Sequence, residues 1–369
     1  MAHVLLAANS NWNLENFRTG LIRELIREGH QVTTVSPDPQ GLTIDGEAVH
    51  HRRWKLNRPG RNPLEELVGV LSLAAIILQE RPDLVLGFTI KPNLYASIVG
   101  RLFKVPVVPN VTGLGTSFLG GLALQRAVSH LYRIAFRGTR TVFFQNKDDQ
   151  ALFIRERLVR EGQSRVLPGS GINLDFFRPS ELPKDTRFLM IARLLGDKGV
   201  REYVAAARRL KPKLPSATFA LLGEIDSDNP TAIEKGELDE WVGEGAIDYL
   251  GATLDVRPFI RQSTAVVLPS YREGLPRTLL EGAAMGRPLI GTNVPGCREV
   301  VREGLTGFLC EARSVDSLVA AMERLGETHP DDLARLAAQA RAMVELEFDE
   351  RLVIRAYLEV IRKLSSSRH

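Results

Sequence analysis

Short apolar runs of four to six residues alternate along the chain with longer stretches in which apolar side chains return every three or four positions. The short runs predict strands and the long ones helices, and their alternation is that of a parallel sheet covered by crossover helices. In the first half the strands are expected at His3–Ala8, Gln31–Ser36, Leu84–Phe88, Val105–Asn110 and Thr141–Gln145, with helices at Leu14–Glu28, Pro63–Glu80, Pro92–Phe103, Leu122–Arg137 and Lys147–Arg160. The rhythm restarts in the second half. Strands are expected at Arg187–Ala192, Thr218–Gly223, Ile247–Leu250, Ala265–Pro269 and Pro288–Gly291, and helices near Gly199–Lys213, Leu275–Gly286 and Ser314–Gly326. Glycine and proline cluster from Pro168-Gly169-Ser170-Gly171 to Arg178-Pro179, which makes that stretch the boundary between two doubly wound α/β units and a hinge. Asp331–Arg362 reads as two helices that break near Glu347-Phe348-Asp349, and Ser365-Ser366-Ser367-Arg368-His369 as a frayed polar end.

Length agrees with two units, since 369 residues at about 150 per domain allow two cores. The two cysteines, Cys297 and Cys310, are too few for a disulfide framework or a metal cluster and fit a reducing compartment. No export signal precedes Met1-Ala2-His3-Val4-Leu5-Leu6 and no run reaches about 18 apolar residues, so a cytoplasmic protein without a membrane span is expected. Charge divides the chain. Residues 1–178 carry 22 Lys+Arg against 15 Asp+Glu, and residues 179–369 carry 26 against 29, so a basic half of +7 precedes an acidic half of −3. A basic half steers a molecule towards phosphates or an anionic surface, although such imbalance is often idle.

The sharpest local signal runs from Tyr271-Arg272-Glu273-Gly274-Leu275-Pro276 to Gly286-Arg287-Pro288, directly after the strand Ala265–Pro269. It opens a helix at the carboxyl edge of a sheet, with Pro276 expected at the first helical position. The N–H groups of Gly274 and Leu275, with the helix dipole, suit a phosphate. Glu273 lies just before the helix and Glu281 two turns in, so that one of them is placed to meet a sugar and the other to accept hydrogen bonds from vicinal hydroxyls such as those of a ribose. Taken alone, two such glutamates are better read as a dipole partner and a solvated face. After the strand Arg187–Ala192 come Arg193 and Lys198, two cations at the carboxyl end of the same sheet, suited to a diphosphate. Alone they would be surface charges.

Together these elements resemble the retaining glycosyltransferases of family 4, whose GT-B fold has two Rossmann-like doubly wound α/β/α domains facing a central cleft. The resemblance covers essentially the whole chain. It rests on Glu273-x7-Glu281, on Arg193-x4-Lys198, on Gly171-Ile172-Asn173-Leu174-Asp175-Phe176-Phe177-Arg178-Pro179, and on Pro295-Gly296-Cys297-Arg298-Glu299-Val300-Val301 with Gly304-Leu305-Thr306-Gly307-Phe308. It implies an acceptor-binding domain over 1–172, with a C-terminal helix over 350–364 packing back on it, and a nucleotide-sugar domain over 173–349. Arg193 and Lys198 would hold the donor diphosphate, Glu281 the ribose, Glu273 with the Gly274-Leu275-Pro276 backbone the sugar, and Gly223, Glu224, Leu250 and Gly251 the nucleobase. Arg193, Lys198 and Glu273 would be the catalytic set. Within the family, the first half resembles the branch that extends polyprenyl-diphosphate-linked glycans, including bacterial N-acetylgalactosaminyltransferases acting on undecaprenyl-diphosphate-bacillosamine. The residues responsible include Asn9-Ser10, Asn16-Phe17-Arg18, Thr89-Ile90-Lys91-Pro92-Asn93, Asn110-Val111-Thr112-Gly113-Leu114-Gly115 and Phe143 to Asp149, so Asn9, Ser10, Arg18, Lys91, Asn93, Thr112 and Gly113 are the expected acceptor contacts. The double glycine usual after the first strand is replaced here by Asn9-Ser10-Asn11-Trp12-Asn13, and no histidine stands near Asn110–Gly115.

Two weaker signals are set aside. Gly113-x-Gly115 is half of a dinucleotide fingerprint, with its third glycine misplaced and no suitably placed acid after a second strand, and reads as a tight loop near the acceptor. Asp226-Ser227-Asp228 lies beside Asn229-Pro230 and reads as a turn, so no metal and no cofactor beyond the UDP-sugar co-substrate is expected. A membrane surface is the other expectation. His50-His51-Arg52-Arg53-Trp54-Lys55-Leu56-Asn57-Arg58-Pro59-Gly60-Arg61 holds five cations and no acid, and Arg126, His130, Arg133 and Arg137 form one stripe of the helix at Leu122–Arg137. Arg52, Arg53, Trp54, Lys55, Arg126, Arg133 and Arg137 are therefore the expected membrane contacts, the alternative being a solvated basic face. Val68–Leu78 is apolar almost throughout but too short to span, and reads equally as core. Nucleic acid is not expected, because the cations lack aromatic interleaving. The sequence thus points to a peripheral enzyme of the inner membrane face that moves a sugar, an N-acetylhexosamine by resemblance, from a UDP donor to a lipid-linked saccharide. The competing readings are a nucleotide-sugar 2-epimerase of the same architecture and a non-catalytic sugar-nucleotide-binding subunit.

Overall fold

The computed structural model describes residues 1–57, 62–114, 122–227 and 229–366. The chain divides into two compact units, Met1–Gly171 joined by the segment from Glu350 onwards, and Ile172–Asp349. The sequence placed this break between residues 172 and 173.

The first unit is built on a parallel sheet of β1 (His3–Ala7), β2 (Gln31–Ser36), β5 (His50–Arg53), β6 (Leu84–Phe88), β7 (Val107–Val111), β8 (Val142–Phe144) and β9 (Ser164–Val166), in the order β5-β2-β1-β6-β7-β8-β9. A small antiparallel hairpin, β3 (Thr43–Ile44) and β4 (Glu47–Ala48), turns through Asp45 and Gly46, both at positive φ. Its helices are α1 (Asn11–Arg27), α2 (Pro63–Glu80), α3 (Ile90–Phe103), α4 (Leu122–Phe136) and α5 (Lys147–Arg155). The second unit has β10 (Arg187–Ile191), β11 (Thr218–Leu222), β12 (Asp248–Tyr249), β13 (Ala265–Leu268), β14 (Leu289–Thr292) and β15 (Gly307–Cys310), all parallel, in the order β12-β11-β10-β13-β14-β15. Around it lie α6 (Val200–Leu210), α7 (Lys235–Gly243), α8 (Arg257–Arg261), α9 (Arg277–Ala284), α10 (Cys297–Val300), α11 (Val315–Gly326) and α12 (Pro330–Glu347). The chain then returns to the first unit in α13 (Glu350–Ser366).

Alternation along each strand divides the first unit into two cores. Val4 and Leu6 of β1 point to one face, with Ile22 and Leu25 of α1 and Tyr357 and Ile361 of α13. Leu5 and Ala7 point to the other, with Leu73 and Ile77 of α2, Leu94 and Val99 of α3, and Phe136 of α4. The C-terminal helix is fixed by Tyr357. Its ring packs edge-on against Phe88 and Phe143, and its buried hydroxyl accepts a 2.6 Å hydrogen bond from Asn110 Nδ2.

Helix limits follow local chemistry. Asn62 caps α2 by accepting from Leu64 N, Pro63 opens it, and Arg81 in the left-handed region ends it before Pro82. The structure departs from the sequence reading in several places: strands β3, β4, β9 and β15 and helices α7, α8 and α10 were not expected, and the helix expected over Lys147–Arg160 ends at Arg155. Helix α9 begins at Arg277, so Pro276 is its cap residue. His50–Arg53, read as a basic surface stretch, is the edge strand β5 paired with β2. Its positively charged sequence lacks the apolar alternation that would have marked it.

Each sheet reverses its strand order once. In the first, β1 lies between β2 and β6, and in the second, β10 lies between β11 and β13. The crevices at the carboxyl ends of these pairs are where open α/β sheets bind ligands.

Candidate active site

The loops after β10 and β13 flank the reversal point of the second sheet, and they carry every charged residue that the sequence assigned to the donor phosphates and sugar. The β10 loop is held by backbone bonds, Leu194 N to Glu224 O (2.8 Å) and Gly196 N to Thr231 O (2.6 Å). It closes in a 3₁₀ turn over Gly196–Lys198. Gly199 then adopts φ 76°, and a Cβ there would lie 2.2 Å from Pro269 O. Only glycine lets this loop approach the β13 loop so closely. Tyr271 N donates to Asp197 O at 2.9 Å and completes the tie between the two loops.

This contact brings Lys198 to Glu273. Lys198 Nζ donates to Glu273 Oε1 at 2.6 Å, and the same oxygen accepts from Ser270 Oγ at 2.6 Å. Both charged side chains are largely buried, at 22% and 14% exposure, so their attraction is less screened than in an exposed pair. Arg193 stands at the open side of the crevice, its guanidinium 2.6 Å from Asp226. Asp226 belongs to the Asp-Ser-Asp run set aside as a loop, and Asp228 lies outside the described residues. Among the described residues no group of three or more acidic, histidine or cysteine side chains is arranged to hold a metal.

Glu281 is buried, which excludes the solvated-face alternative. It accepts from Arg277 Nε at 2.8 Å one turn earlier in α9. Burial raises its pKa above the ordinary carboxylate value, and the Arg277 charge and hydrogen bond oppose that rise. Arg277 was not singled out by the sequence reading, although its i,i+4 spacing to Glu281 was visible there. Gly274 and Pro276 are buried at the start of α9, with Leu275 between them half-buried. Gly296, at φ 82°, packs there so tightly that a Cβ would meet Gly274 O at 2.7 Å. At the other end of the crevice Gly223 adopts φ 155°, and a Cβ would lie 1.7 Å from Ala192 O. Gly223 N donates to Gly251 O at 2.8 Å, which sets the expected nucleobase residues Glu224, Leu250 and Gly251 beside one another, Glu224 exposed and the other two half-buried. A further cluster was missed. Tyr271 donates to Glu202 at 2.6 Å and lies under Arg313, 4.6 Å from its ring centroid, so burial and the nearby carboxylate push its phenol up to about 12.

The residues assigned to an acceptor divide differently. Asn9, Ser10 and Lys91 follow β1 and β6 at the reversal point of the first sheet, and Thr112 and Gly113 follow β7, the next strand. Asn9, Thr112 and Gly113 are half-buried, and Gly113 has φ 137°. Ser10 is buried as the cap of α1, accepting from Asn13 N at 3.2 Å. Asn93 is buried and joined to the backbone of Asn110, donating to its carbonyl at 2.7 Å and accepting from its N–H at 3.2 Å. Arg18 is buried over the Phe88 ring, 4.2 Å from the centroid. All three side chains are thus buried with contacts inside the first unit. Lys91 reaches Glu66 at 2.6 Å and Asn57 O at 2.7 Å. Thr89, quoted above only as part of a motif, sits at this reversal point with φ 71° and ψ 169°, a conformation that side chains resist and that clusters at functional sites. Gly115 lies outside the described residues.

The membrane assignments also divide. Trp54 is buried, and its indole donates to Gly69 O at 2.8 Å, so it is core and not a membrane anchor. Arg52 pairs with Glu80 at 3.3 Å and bonds Gln79, whereas Arg53 and Lys55 are exposed. Arg58 and Arg61 lie outside the described residues. Arg126, Arg133 and Arg137 are exposed on one side of α4 and just beyond its end. No described helix is long and apolar enough to cross a membrane.

Comparison with known proteins gives this geometry a context. Residues 15–169 match the family model described as Glycosyl transferase 4-like domain, and residues 185–328 the model described as Glycosyl transferases group 1. The chain is 27% identical over 369 residues to the N,N'-diacetylbacillosaminyl-diphospho-undecaprenol alpha-1,3-N-acetylgalactosaminyltransferase of Campylobacter jejuni, covering 94% of this chain and 95% of that one. It is 24% identical over 277 residues to the UDP-Gal:alpha-D-GlcNAc-diphosphoundecaprenol alpha-1,3-galactosyltransferase of Escherichia coli, with 71% of each covered. Among solved structures it is similar to a sucrose-phosphate synthase from Thermosynechococcus elongatus, with TM-score 0.81, 18% identity and both chains fully covered. A glycosyltransferase from Rickettsia africae aligns with TM-score 0.76 and 20% identity over 98% of each chain. At such identities these structures establish the fold, two Rossmann-like α/β units.

Proposed function

Because the chain belongs to the family 4 glycosyltransferases, a hexosyltransferase with a 4-like domain followed by a group 1 domain, we propose that it moves a sugar from a UDP donor to a polyprenyl-diphosphate-linked saccharide. The names of the Campylobacter and Escherichia relatives support the lipid-linked acceptor, and the Escherichia name specifies a UDP-sugar. The N-acetylhexosamine choice rests on the Campylobacter relative, which matches over nearly the whole chain. Its acceptor would be held in a bilayer, so the enzyme works as a peripheral protein at the inner membrane face.

The observation that carries this reading is the crevice between the β10 and β13 loops. Lys198, Arg193 and the N-terminus of α9 concentrate positive charge where a diphosphate would depart. Glu273 supplies an acceptor for a sugar hydroxyl, and the buried Glu281 carboxylate one for a ribose. In the proposed retaining step the bond from the sugar C1 to the β-phosphate oxygen breaks while the acceptor hydroxyl bonds to C1 on the same face. The hydroxyl proton passes to the departing phosphate oxygen, so no strong protein base is needed. The cations act by stabilising the charge that grows on the diphosphate. An incoming diphosphate competes with Glu273 for Lys198 and with Asp226 for Arg193. Each carboxylate thereby keeps its cation positioned until donor arrives. Two cations and a helix N-terminus provide the charge on their own, and the reading includes no metal.

Nucleotide release from UDP-, GDP- and ADP-sugars, with and without a polyprenyl-diphosphate-linked acceptor and with EDTA present, tests this. Release from one UDP-sugar that needs the lipid acceptor and survives EDTA is expected. Isomerisation of the sugar without acceptor would overturn the proposal in favour of an epimerase.

A further inference from the structure

Helix α2 has more apolar surface than the fold uses. It buries Gly69, Leu73, Ile76 and Ile77, yet Leu64, Leu67, Val68, Leu71 and Leu78 remain 49–72% exposed. Steps of three, one, three and seven residues place these five on a single face, a stripe about 21 Å long at 1.5 Å per residue. The exposure continues onto the neighbouring helices. Helix α2 packs on α3, α3 packs on α4, and all three bury their inner sides in the same core. Leu102 at the end of α3 and Leu131 and Ile134 on α4 are exposed as well. Eight of the seventeen large apolar side chains exposed among the described residues thus belong to this one helical layer. Single exposed leucines need no explanation, whereas a contiguous patch marks an interaction surface.

The charge around the patch identifies the partner. The sequence from 50 to 137, from which this layer is drawn, contains 12 Lys+Arg and 4 Asp+Glu, a balance of +8; the remaining 36 Lys+Arg and 40 Asp+Glu leave −4 for the rest of the chain. Lys55, Arg101, Lys104, Arg126, Arg133 and Arg137 are exposed in this segment, and among the described residues none of them forms an ion pair. The carboxylates of α2 are engaged, Glu66 with Lys91, Glu80 with His50 and Arg52, and Glu65 with the Asn57 amide. Self-association through this face would oppose one +8 segment to another. An apolar stripe in a helical layer that carries exposed cations without carboxylate partners among the described residues, Arg101 and Arg133 bonding only backbone carbonyls there, instead fits a lipid bilayer with anionic headgroups, with leucines in the acyl boundary and cations at the phosphates.

We infer that the outer face of the α2–α3–α4 layer docks on an anionic bilayer, with α2 lying in the interface and Leu64, Leu67, Val68, Leu71 and Leu78 as its inserted side chains. This rests on the lipid-linked acceptor proposed above. It also moves the membrane contact away from Arg52 and Trp54, which the fold uses internally.

The full-length protein is sedimented with vesicles of phosphatidylglycerol and phosphatidylcholine, and separately with phosphatidylcholine alone. Binding to the anionic vesicles is expected, with weak binding to the neutral ones. The double variant Leu67→Gln with Leu71→Gln changes only exposed positions, and it should partition roughly tenfold or more weakly. Leu254→Gln, at an exposed leucine of the other unit, should leave binding unchanged. Failure of the wild type to bind, or equal binding by the double variant, overturns the inference. So does a dimer in sedimentation velocity that the double variant abolishes in the absence of vesicle binding, since the face would then join two copies. Transfer to a short-chain, water-soluble diphosphate-linked acceptor is measured in parallel. Its persistence when docking fails would contradict only the docking surface, and its absence when docking holds would contradict the proposed function.

Discussion

Glu281 shows why a residue type alone does not decide a role. Two glutamates eight residues apart are more often surface charges, but the structure buries this one against Arg277 and raises its pKa by desolvation. A raised pKa means the carboxylate takes up its proton at a higher pH than usual as pH falls, and loses half of its accepting capacity for ribose hydroxyls. Donor KM should therefore rise with falling pH from a point above the ordinary carboxylate range, with kcat less affected. Glu281→Gln should show a high KM at all pH values and lose that limb, and a retained limb in the variant would assign it to another group. Asn93 is a second case, since its amide serves both backbone groups of the buried Asn110. Asn93→Ala should lower unfolding free energy by about 1–3 kcal/mol in a denaturant titration, because two buried polar groups lose a partner. A direct acceptor role would instead appear as lost turnover at unchanged stability.

The elements around the crevice depend on contacts distant in sequence. Gly199 allows the β10 loop to touch Pro269 of the β13 loop, and it combines a positive φ with a 2.2 Å approach. Gly199→Ala should cost on the order of 2–3 kcal/mol in stability and impair donor binding, through strain at a backbone conformation that alanine resists. Unaltered thermal melting would contradict this. Arg287, buried behind the same sheet with no carboxylate partner among the described residues, donates to the carbonyls of Ile260, Ser180 and Glu181, and burial lowers its pKa to about 10. Arg287→Met should destabilise by about 2–4 kcal/mol by leaving those carbonyls unpaired. Such ties limit what a sequence displays. The run Pro63–Glu80 was legible to the residue because Asn62, Pro63 and Arg81-Pro82 punctuate it locally. The strand at His50–Arg53 was not, because its pairing with β2 is a tertiary choice that overrides an unfavourable composition. Likewise Arg193, Lys198 and Glu273 could be placed at strand ends from the sequence, but their roles came from the family resemblance. The partner Asp226, and the Tyr271–Glu202–Arg313 cluster, became visible only once the fold joined residues up to 69 positions apart, whereas Ser270 bonds Glu273 from only three residues away.

At the scale of the molecule, the same α/β plan is used twice with different surface chemistry. The second unit concentrates paired charges at one strand reversal, and the first carries a basic and apolar layer on one side of its sheet. Both follow from where the chain places its cations, +7 in residues 1–178 against −3 in residues 179–369. Salt should weaken anionic-vesicle binding, which depends on exposed cations, far more than donor binding at the largely buried Lys198–Glu273 pair. The measurement that most directly tests the donor crevice is turnover of Arg193→Ala and Lys198→Ala with a UDP-sugar and a polyprenyl-diphosphate-linked acceptor, with folding checked by thermal melting. If each cation supplies about 3 kcal/mol to the departing diphosphate, each variant should lose on the order of 10²-fold in kcat while remaining folded. Full turnover in both folded variants would contradict the assignment of this crevice to the reaction.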